Sequence, residues 1–305
     1  MSIVQLNSIT KTYNKGSVVA VDNISLSVNE GELFGLIGPD GAGKTSIFRI
    51  LTTLLLAESG TATVNGWDVV KDYRIIRSNI GYMPGKFSLY QDLSVEENLE
   101  FFATLFGTTI EENYHLIKDI YIQLEPFKDR RAGKLSGGMK QKLALCCALI
   151  HKPVVLFLDE PTTGVDPVSR KEFWNMLKRL KEQGITIIVS TPYMDEANLC
   201  DRIALIQNGK IMSVETPQNI IKNYTRELWA VASQSMHSLL KDLREFDLTE
   251  SCYAFGDSLH LSFKVHKENN RDETLAYLKN HNHREVEMNL INPGIEDCFI
   301  SLMQQ

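Results

Sequence analysis

The sequence predicts an α/β fold built around a phosphate-binding loop (P-loop), followed by a small α+β unit. Segments of strand character alternate with segments of helical period over most of the chain, which is typical of a largely parallel sheet covered by helices. The stretch GPDGAGKTS at 38–46 joins the first buried strand to a helix, as a P-loop does. Near Tyr224 the order of segments changes, and this change indicates a second, smaller unit.

The N-terminal segments predict an antiparallel β part and the P-loop strand. Residues 3–9 and 18–28 alternate between polar and apolar side chains, as half-buried strands do. The continuous apolar run at 33–38 predicts a buried parallel strand. After the glycine-rich turn we expect a helix from about Lys44 to Leu55, and the Asn-Gly pair within residues 64–66 predicts a hairpin turn.

A helical subdomain is predicted within the α/β unit, at about residues 86–150. Ser94 and Glu97 have the spacing of a capping box in this segment. Strand character then returns in three apolar segments, at 154–159, 187–190 and 203–207, and a second Asn-Gly turn follows the last of them. These elements complete a unit that we expect to span residues 1–220.

The remaining residues, 221–305, predict a small α+β accessory domain. Its segments follow one another as strand, helix, hairpin, helix and strand, an order that resembles a ferredoxin-like unit. The stretch IEDCFISLM then predicts a last amphipathic helix.

The composition of the 305 residues limits the functional classes. The chain is 43% hydrophobic and 23% charged, as ordinary soluble globular proteins are, and its formal net charge of −6 does not favour nucleic acid as a partner. Five cysteines without a C-x-x-C pair favour a reducing cytosol over a disulfide framework or a zinc site. We expect no signal peptide, and no apolar run reaches the roughly 20 residues of a membrane-spanning helix.

The P-loop residues suit the binding of a nucleotide's phosphates. Glycines let the backbone curl so that successive N–H groups point into one concavity, and the N-terminus of the following helix favours negative charge. Lys44 is expected to reach the β- and γ-phosphates, and Thr45 to offer its hydroxyl to Mg²⁺. The residues predicted to contact the nucleotide here are Gly38, Pro39, Asp40, Gly41, Ala42, Gly43, Lys44, Thr45 and Ser46.

The stretch VVLFLDEP at 154–161 predicts a buried strand that ends in two carboxylates. Many core strands end in acidic residues, so this pair is informative only together with the P-loop. In that context Asp159 is expected to hold Mg²⁺ through water, and Glu160 to act as the base that polarises the attacking water. Glu160 and Lys44 are therefore the candidate catalytic residues, and Thr45 and Asp159 the candidate metal ligands.

A second anion site is predicted in the stretch LSGGMKQKLALCCALI at 135–150. Ser136 can cap the helix, while Gly137 and Gly138 leave its first N–H groups uncovered. Here the sequence resembles the ATP-binding cassette (ABC) family, whose signature is LSGGQ. The resemblance implies that the signature of one subunit closes over the P-loop nucleotide of another, which gives a head-to-tail dimer with two ATP molecules between the subunits.

Two further motifs support the resemblance, which covers roughly residues 1–220. Tyr13 lies where the family stacks an aromatic ring on adenine, and TTGVDP at 162–167 matches the D-loop, with Asp166 as its aspartate. The C-terminal stretch INPGIEDCFISLM resembles the tail of ATPase subunits of the ABC-2 exporter group.

Two positions depart from the family pattern. Gly85 stands where a glutamine normally contacts Mg²⁺ and the attacking water, and Pro192 stands where a histidine normally contacts the γ-phosphate. Gln91 follows six residues after Gly85, too far to replace that glutamine without a rearranged loop. Proline has neither a side-chain donor nor an N–H. We expect Mg-ATP binding to persist, and hydrolysis to be slow or to require completion of the site by a partner.

The resemblance implies an ATP-hydrolysing subunit of a membrane exporter, located in the cytoplasm and attached to the cytoplasmic face of the membrane through separate integral-membrane permease subunits. Phe87, Leu89 and Tyr90 are the expected permease contacts if they are exposed, and core residues of the helical subdomain if they are not. Two alternatives stay open. One is a regulatory ATP-binding clamp with little hydrolysis. The other is a non-transport ABC ATPase acting on ribosomes or DNA.

Overall fold

The computed structural model describes residues 1–86 and 88–304, and the chain divides into two units, Met1–Pro217 and Gln218–Gln305. The strands of the first unit are β1 (Ser2–Tyr13), β2 (Val18–Asn29), β3 (Leu33–Ile37), β4 (Ser59–Val64), β5 (Trp67–Asp68), β6 (Ile80–Met83), β7 (Val155–Asp159), β8 (Thr186–Thr191), β9 (Arg202–Gln207) and β10 (Lys210–Glu215). Its helices are α1 (Lys44–Leu51), α2 (Tyr73–Asn79), α3 (Val95–Leu105), α4 (Ile110–Tyr121), α5 (Gly137–Leu149) and α6 (Pro167–Glu182).

A six-stranded sheet in the order β10-β9-β3-β8-β7-β6 forms the centre of this unit. Its strands are parallel except for β10, which pairs antiparallel with β9. Every residue of β3, β7 and β8 is buried, which explains their continuous apolar sequences, because a parallel sheet is covered on both faces. Parallel pairing also brings the carboxyl ends of β3, β6, β7 and β8 to the same edge.

The N-terminal antiparallel β part is a four-stranded sheet in the order β2-β1-β4-β5. Val4 and Leu6 of β1 are buried, as alternation predicts, and Ile9 is buried because the strand shifts register between Leu6 and Ile9, where Ser8 has φ of 52°. The Asn65-Gly66 turn joins β4 to β5 with positive φ at both residues, which is the geometry that an Asn-Gly hairpin turn requires.

Helices α3, α4 and α5 form the predicted helical subdomain. The Ser94 side chain accepts from the N–H of Glu97, and Glu97 accepts from the N–H of Ser94, so the capping box is confirmed. Helix α1 is shorter than predicted and ends at Leu51 instead of Leu55. It ends there because Thr53 adopts a left-handed backbone with φ of 64°.

The second unit has a four-stranded antiparallel sheet in the order β12-β13-β11-β14, which agrees with the ferredoxin-like prediction. Helix α7 (Pro217–Lys222) begins at the last residue of the first unit, and the elements that follow are β11 (Leu228–Ala232), α8 (Met236–Glu245), β12 (Thr249–Phe255), β13 (Ser258–Phe263), α9 (Asn270–Asn280), β14 (Glu287–Ile291) and α10 (Ile295–Met303). Helices that combine the length and the apolar character needed to cross a membrane are absent from the described residues.

Candidate functional site

Four loops meet at the carboxyl edge of the six-stranded sheet. The P-loop follows β3, Gly85 follows β6, Glu160 follows β7 and Pro192 follows β8. Ile37 is paired with Thr191, and Asp159 with Ser190, so the end of β8 lies between the P-loop strand and the acidic pair. Ligands of open α/β sheets bind at this edge.

The backbone of the P-loop has room only for glycine at two points. Gly43 has φ of 106°, and a Cβ atom there would lie 2.1 Å from the carbonyl oxygen of Ala20. A Cβ atom on Gly38 would lie 2.1 Å from the carbonyl oxygen of Ile206. The loop therefore keeps the tight curl that a phosphate cradle needs, directly before the N-terminus of α1.

Lys44 is 3% exposed and is held by three oxygen atoms. Its Nζ donates to the carbonyl oxygens of Gly38 at 2.8 Å and Pro39 at 3.0 Å, and lies 3.1 Å from Oε1 of Glu160. Glu160 has φ of 50°, a backbone conformation that is uncommon for a residue with a side chain and is often found at functional sites. The two candidate catalytic residues thus contact each other.

Asp159 is 2% exposed, and its Oδ1 accepts a hydrogen bond from the Ser190 hydroxyl at 2.6 Å. The same hydroxyl oxygen accepts from the backbone N–H of Glu160 at 3.0 Å. Burial raises the pKa of Tyr82 to about 12, and the charge of Asp159 acts in the same direction.

These residues fit a magnesium-bound nucleotide. The cradle at Gly43 excludes a side chain, Lys44 presents a buried ammonium group, and Thr45 and Asp159 offer oxygen ligands. In the described part of the chain, no group of three or more His, Cys, Asp or Glu residues could hold a metal ion. Mg²⁺ does not need such a group, because it usually binds through one or two protein oxygens together with phosphates and water.

Tyr13 lies beside helix α1, which follows the P-loop. Its hydroxyl is 3.1 Å from Oγ of Ser46 in the first turn of α1, and its ring is partly exposed. The Nζ atom of Lys11 lies 5.8 Å from the centre of the ring.

The signature and the D-loop form a second cluster. The Ser136 side chain caps α5 by accepting from the N–H of Met139, and Asp166 caps α6 by accepting from the N–H groups of Val168 and Ser169. The bond from Ser169 in particular lowers the pKa of Asp166. A Cβ atom on Gly138 would lie 2.8 Å from Oγ of Ser169, so the glycine allows α5 and α6 to meet closely. Ser136 and Gly137 are exposed.

The two departures from the family pattern lie at the site itself. A Cβ atom on Gly85 would be 3.1 Å from the carbonyl oxygen of Asp159 and 3.8 Å from Cβ of Glu160. A side chain at this position would therefore start beside the acidic pair. The backbone of Gln91 is tied to the helical subdomain, where its carbonyl oxygen accepts from the N–H of Gly133 at 2.9 Å.

An apolar groove opens between β6 and helices α3 and α5, with a cavity of about 260 Å³. Its lining includes Leu54, Tyr82, Leu89, Phe102, Phe106 and Ala144. Of the two alternatives left open for Leu89, the structure favours packing within the helical subdomain, since Leu89 is 8% exposed and forms part of the groove wall. Tyr90 is 51% exposed and packs edge-on against Phe101. Phe87 lies outside the described residues.

Ser190 is the site residue that sequence reasoning missed. It follows the apolar residues 187–189 of β8, and its register opposite Asp159 places the hydroxyl on the carboxylate. A hydroxyl residue in a buried strand was the available signal, because a buried hydroxyl requires a partner.

The fold and the site define a P-loop nucleotide-binding protein in which a second helix, α5, also begins with glycines, Gly137 and Gly138. The sequence profile of the ABC transporter family matches residues 21–163. Over 306 residues the chain is 37% identical to the probable multidrug ABC transporter ATP-binding protein YbhF of Escherichia coli (strain K12), with 99% of this chain and 52% of YbhF covered. It thus spans about half the length of that relative.

Two other proteins match well. The Nod factor export ATP-binding protein I of Rhizobium sp. (strain N33) is 38% identical over 224 residues, which cover 72% of this chain and 73% of that protein. A dimeric structure of the ATP-binding cassette MJ0796 in a post-hydrolysis state, bound to ADP and Pi, matches with a TM-score of 0.63 at 27% identity, covering 70% of this chain and 98% of that one. The chain belongs to the ABC transporter family of ATP-binding proteins.

Proposed function

We propose that this chain is the ATP-binding and ATP-hydrolysing subunit of a membrane exporter. The observation that carries this proposal is that the P-loop, Lys44, Asp159 and Glu160 lie together at one edge of the sheet. The same chain also exposes Ser136 and Gly137 at the N-terminus of α5. The relatives named for multidrug transport and Nod factor export support the exporter role.

Each site residue has its own role in the binding and hydrolysis of ATP. Tyr13 stacks on the adenine, the P-loop amides and Lys44 bind the phosphates, and Glu160 accepts the proton of the attacking water. Thr45 and Asp159 hold Mg²⁺, which supplies positive charge to the phosphates when it is bound. Phosphate oxygens would replace the carboxylate of Glu160 as a partner of Lys44, because both offer charge-assisted hydrogen bonds to the ammonium group.

A second ATP-binding subunit completes each site. Ser136, Gly137 and Gly138 cover the nucleotide of that subunit, and Asp166 lies in the same contact surface. ATP favours the closed head-to-tail dimer because it binds both surfaces, and hydrolysis lets the dimer open. The exposure of Ser136 and Gly137 in this chain supports the assignment.

The apolar groove is the proposed contact with the permease. It is open, largely apolar in its lining, and adjacent to Gly85 through Met83 and Pro84, so a bound segment would touch the nucleotide edge of β6. This attachment would hold the chain at the cytoplasmic face of the membrane. The composition gives no support for nucleic acid as a partner.

A regulatory ATP-binding clamp is the second candidate function. It is favoured by one observation, the absence of a side chain at Gly85 and of a hydrogen-bond donor at Pro192 on an otherwise complete site. Loss of one preorganised donor typically slows a reaction by about 10²–10³-fold while binding persists.

Phosphate release by the purified protein separates the two functions. We expect measurable steady-state hydrolysis of Mg-ATP that E160Q abolishes, and an ATP-dependent dimer of E160Q by light scattering that S136R prevents. T104R, which places the same charge on an exposed position of α3, should leave the dimer intact. Binding of ATP with no hydrolysis above the E160Q background, even with the permease present, would favour the clamp. An oligomeric state that does not change on addition of ATP would contradict the proposed ATP-driven dimer.

A further inference from the structure

A buried carboxylate outside the described site ties its loops together. Glu196 lies in the short 3-10 helix Met194–Leu199 after β8 and is 2% exposed. Its Oε1 accepts from Oγ1 of Thr162 at 2.8 Å and from Nε of Arg170 at 3.1 Å. Its Oε2 accepts from Oγ1 of Thr191 at 2.5 Å.

The three donors come from three parts of the site. Thr162 follows the candidate base Glu160 by two residues and is 1% exposed. Thr191 directly precedes Pro192 at the end of β8. Arg170 belongs to the first turns of α6, the helix that Asp166 caps. One carboxylate thus joins the turn after Glu160, the loop at Pro192 and the D-loop helix.

Two partners of Glu196, Thr191 and Arg170, also contact Tyr193, the residue after Pro192. The backbone N–H of Tyr193 donates to Oγ1 of Thr191, the hydroxyl that donates to Glu196. The guanidinium of Arg170 lies 4.1 Å from the centre of the Tyr193 ring and pairs with Glu196. A buried carboxylate with several charge-assisted hydrogen bonds, one of them within an ion pair, forms a rigid connection, because removal of any partner leaves buried charge uncompensated.

We propose that Glu196 is a positioning residue for ATP hydrolysis, which aligns Glu160 and the loop at Pro192 with the D-loop helix. The proposal rests on the proposed function. Pro192 offers no donor to a nucleotide, so contacts within the protein must fix the position of its loop. Glu196 does not itself reach the P-loop; it acts through Thr162 and Thr191.

The test compares E196Q with D195N in the full-length protein. Asp195 has a 77% exposed side chain and pairs with the same Arg170 at 3.3 Å, so D195N is a matched control for loss of one neighbouring charge. A misplaced catalytic group can cost about 10²-fold in rate. We expect E196Q to lower kcat at least tenfold, with the Kd for Mg-ATP changed less than threefold, and D195N to leave both within twofold.

A second variant covers the case in which E196Q does not fold. T162V removes only the hydrogen bond between Glu196 and the turn after Glu160, and we expect kcat to fall at least threefold with unchanged ATP affinity. The proposal is overturned if T162V or a folded E196Q keeps full kcat, or if kcat and affinity fall together in proportion to a lower Tm. If the unaltered protein binds ATP but does not hydrolyse it, the proposed hydrolytic function is wrong, and the Glu196 proposal falls with it. If the unaltered protein hydrolyses ATP and both variants keep its kcat, only the Glu196 proposal is wrong.

Discussion

The ammonium group of Lys44 lies 3.1 Å from Oε1 of Glu160, so the predicted phosphate ligand and the predicted base form an ion pair across the site. Lys44 is 3% exposed, and the pair is therefore little screened by solvent. The three hydrogens of the ammonium group already serve Gly38 O, Pro39 O and Glu160, so a bound γ-phosphate must displace one of these partners, and we expect it to displace the carboxylate, the partner with the same charge as the phosphate.

Replacing Glu160 by glutamine should separate binding from catalysis. E160Q removes the charge that competes with phosphate for Lys44, and it removes the base. We expect the affinity for Mg-ATP to be equal or up to about tenfold higher, and hydrolysis to be at least about 100-fold slower. Calorimetric titration and phosphate release measure the two effects. Weaker binding by a folded E160Q would show that the ion pair does not compete with the nucleotide.

Alanine at Gly43 should destroy the phosphate cradle. The residue has φ of 106°, and a Cβ atom would lie 2.1 Å from the carbonyl oxygen of Ala20. We expect a loss of at least about 2 kcal/mol in the free energy of unfolding from strain alone and loss of ATP binding. G41A is the matched control, because φ there is 79° with nothing within 4 Å of the added atom. Equal effects of both variants in thermal unfolding would rule out the steric explanation.

Introducing the family's glutamine at Gly85 and its histidine at Pro192 should accelerate hydrolysis. Gly85 lies against the end of β7, and Pro192 follows β8 at the edge where the phosphates are expected. Since one preorganised donor is worth about 10²–10³ in rate, we expect the G85Q/P192H double variant to raise kcat at least tenfold. The G85A/P192A variant controls for backbone effects. An unchanged kcat in a folded double variant would mean that neither position limits catalysis.

His151 should make stability depend on pH. Its Nε2 donates to the carbonyl oxygen of Ile80 at 2.9 Å, its ring stacks on Phe106, and burial lowers its pKa from the ordinary value of 6.5. A histidine whose pKa is lowered by folding contributes stability that is fully present above 6.5 and is lost as the pH falls through the folded value. We expect Tm to fall less between pH 7.5 and pH 5.5 in H151Q than in the unaltered protein. Parallel curves would contradict this.

The sequence was a good guide wherever a local pattern decides the structure. The P-loop, the acidic pair after β7, the capping box at Ser94 and both Asn-Gly turns depend on neighbouring residues, and the structure contains all of them. The length of α1 was overestimated, because the apolar pattern continues through Leu54 and Leu55 although Thr53 turns left-handed.

The contacts that sequence reasoning missed join distant residues. In the sequence Glu196 stands next to Asp195 with no local pattern that marks it as buried, and its partners Thr162 and Arg170 lie 34 and 26 positions away. The sequence left open whether Leu89 is exposed or packed inside, and the structure places it in the wall of the groove that helices α3 and α5 and strand β6 surround. Only the folded chain shows which polar group is buried and which apolar group is covered.

The most direct test of the account is calorimetric titration of Mg-ATP into the full-length protein and into K44A. We predict a saturable heat at one ATP per chain for the unaltered protein and an affinity at least about 100-fold lower for K44A, because K44A removes a buried ammonium group that forms charge-assisted hydrogen bonds with the triphosphate. No saturable heat at millimolar ATP with the unaltered protein, or equal affinity in folded K44A, would contradict it.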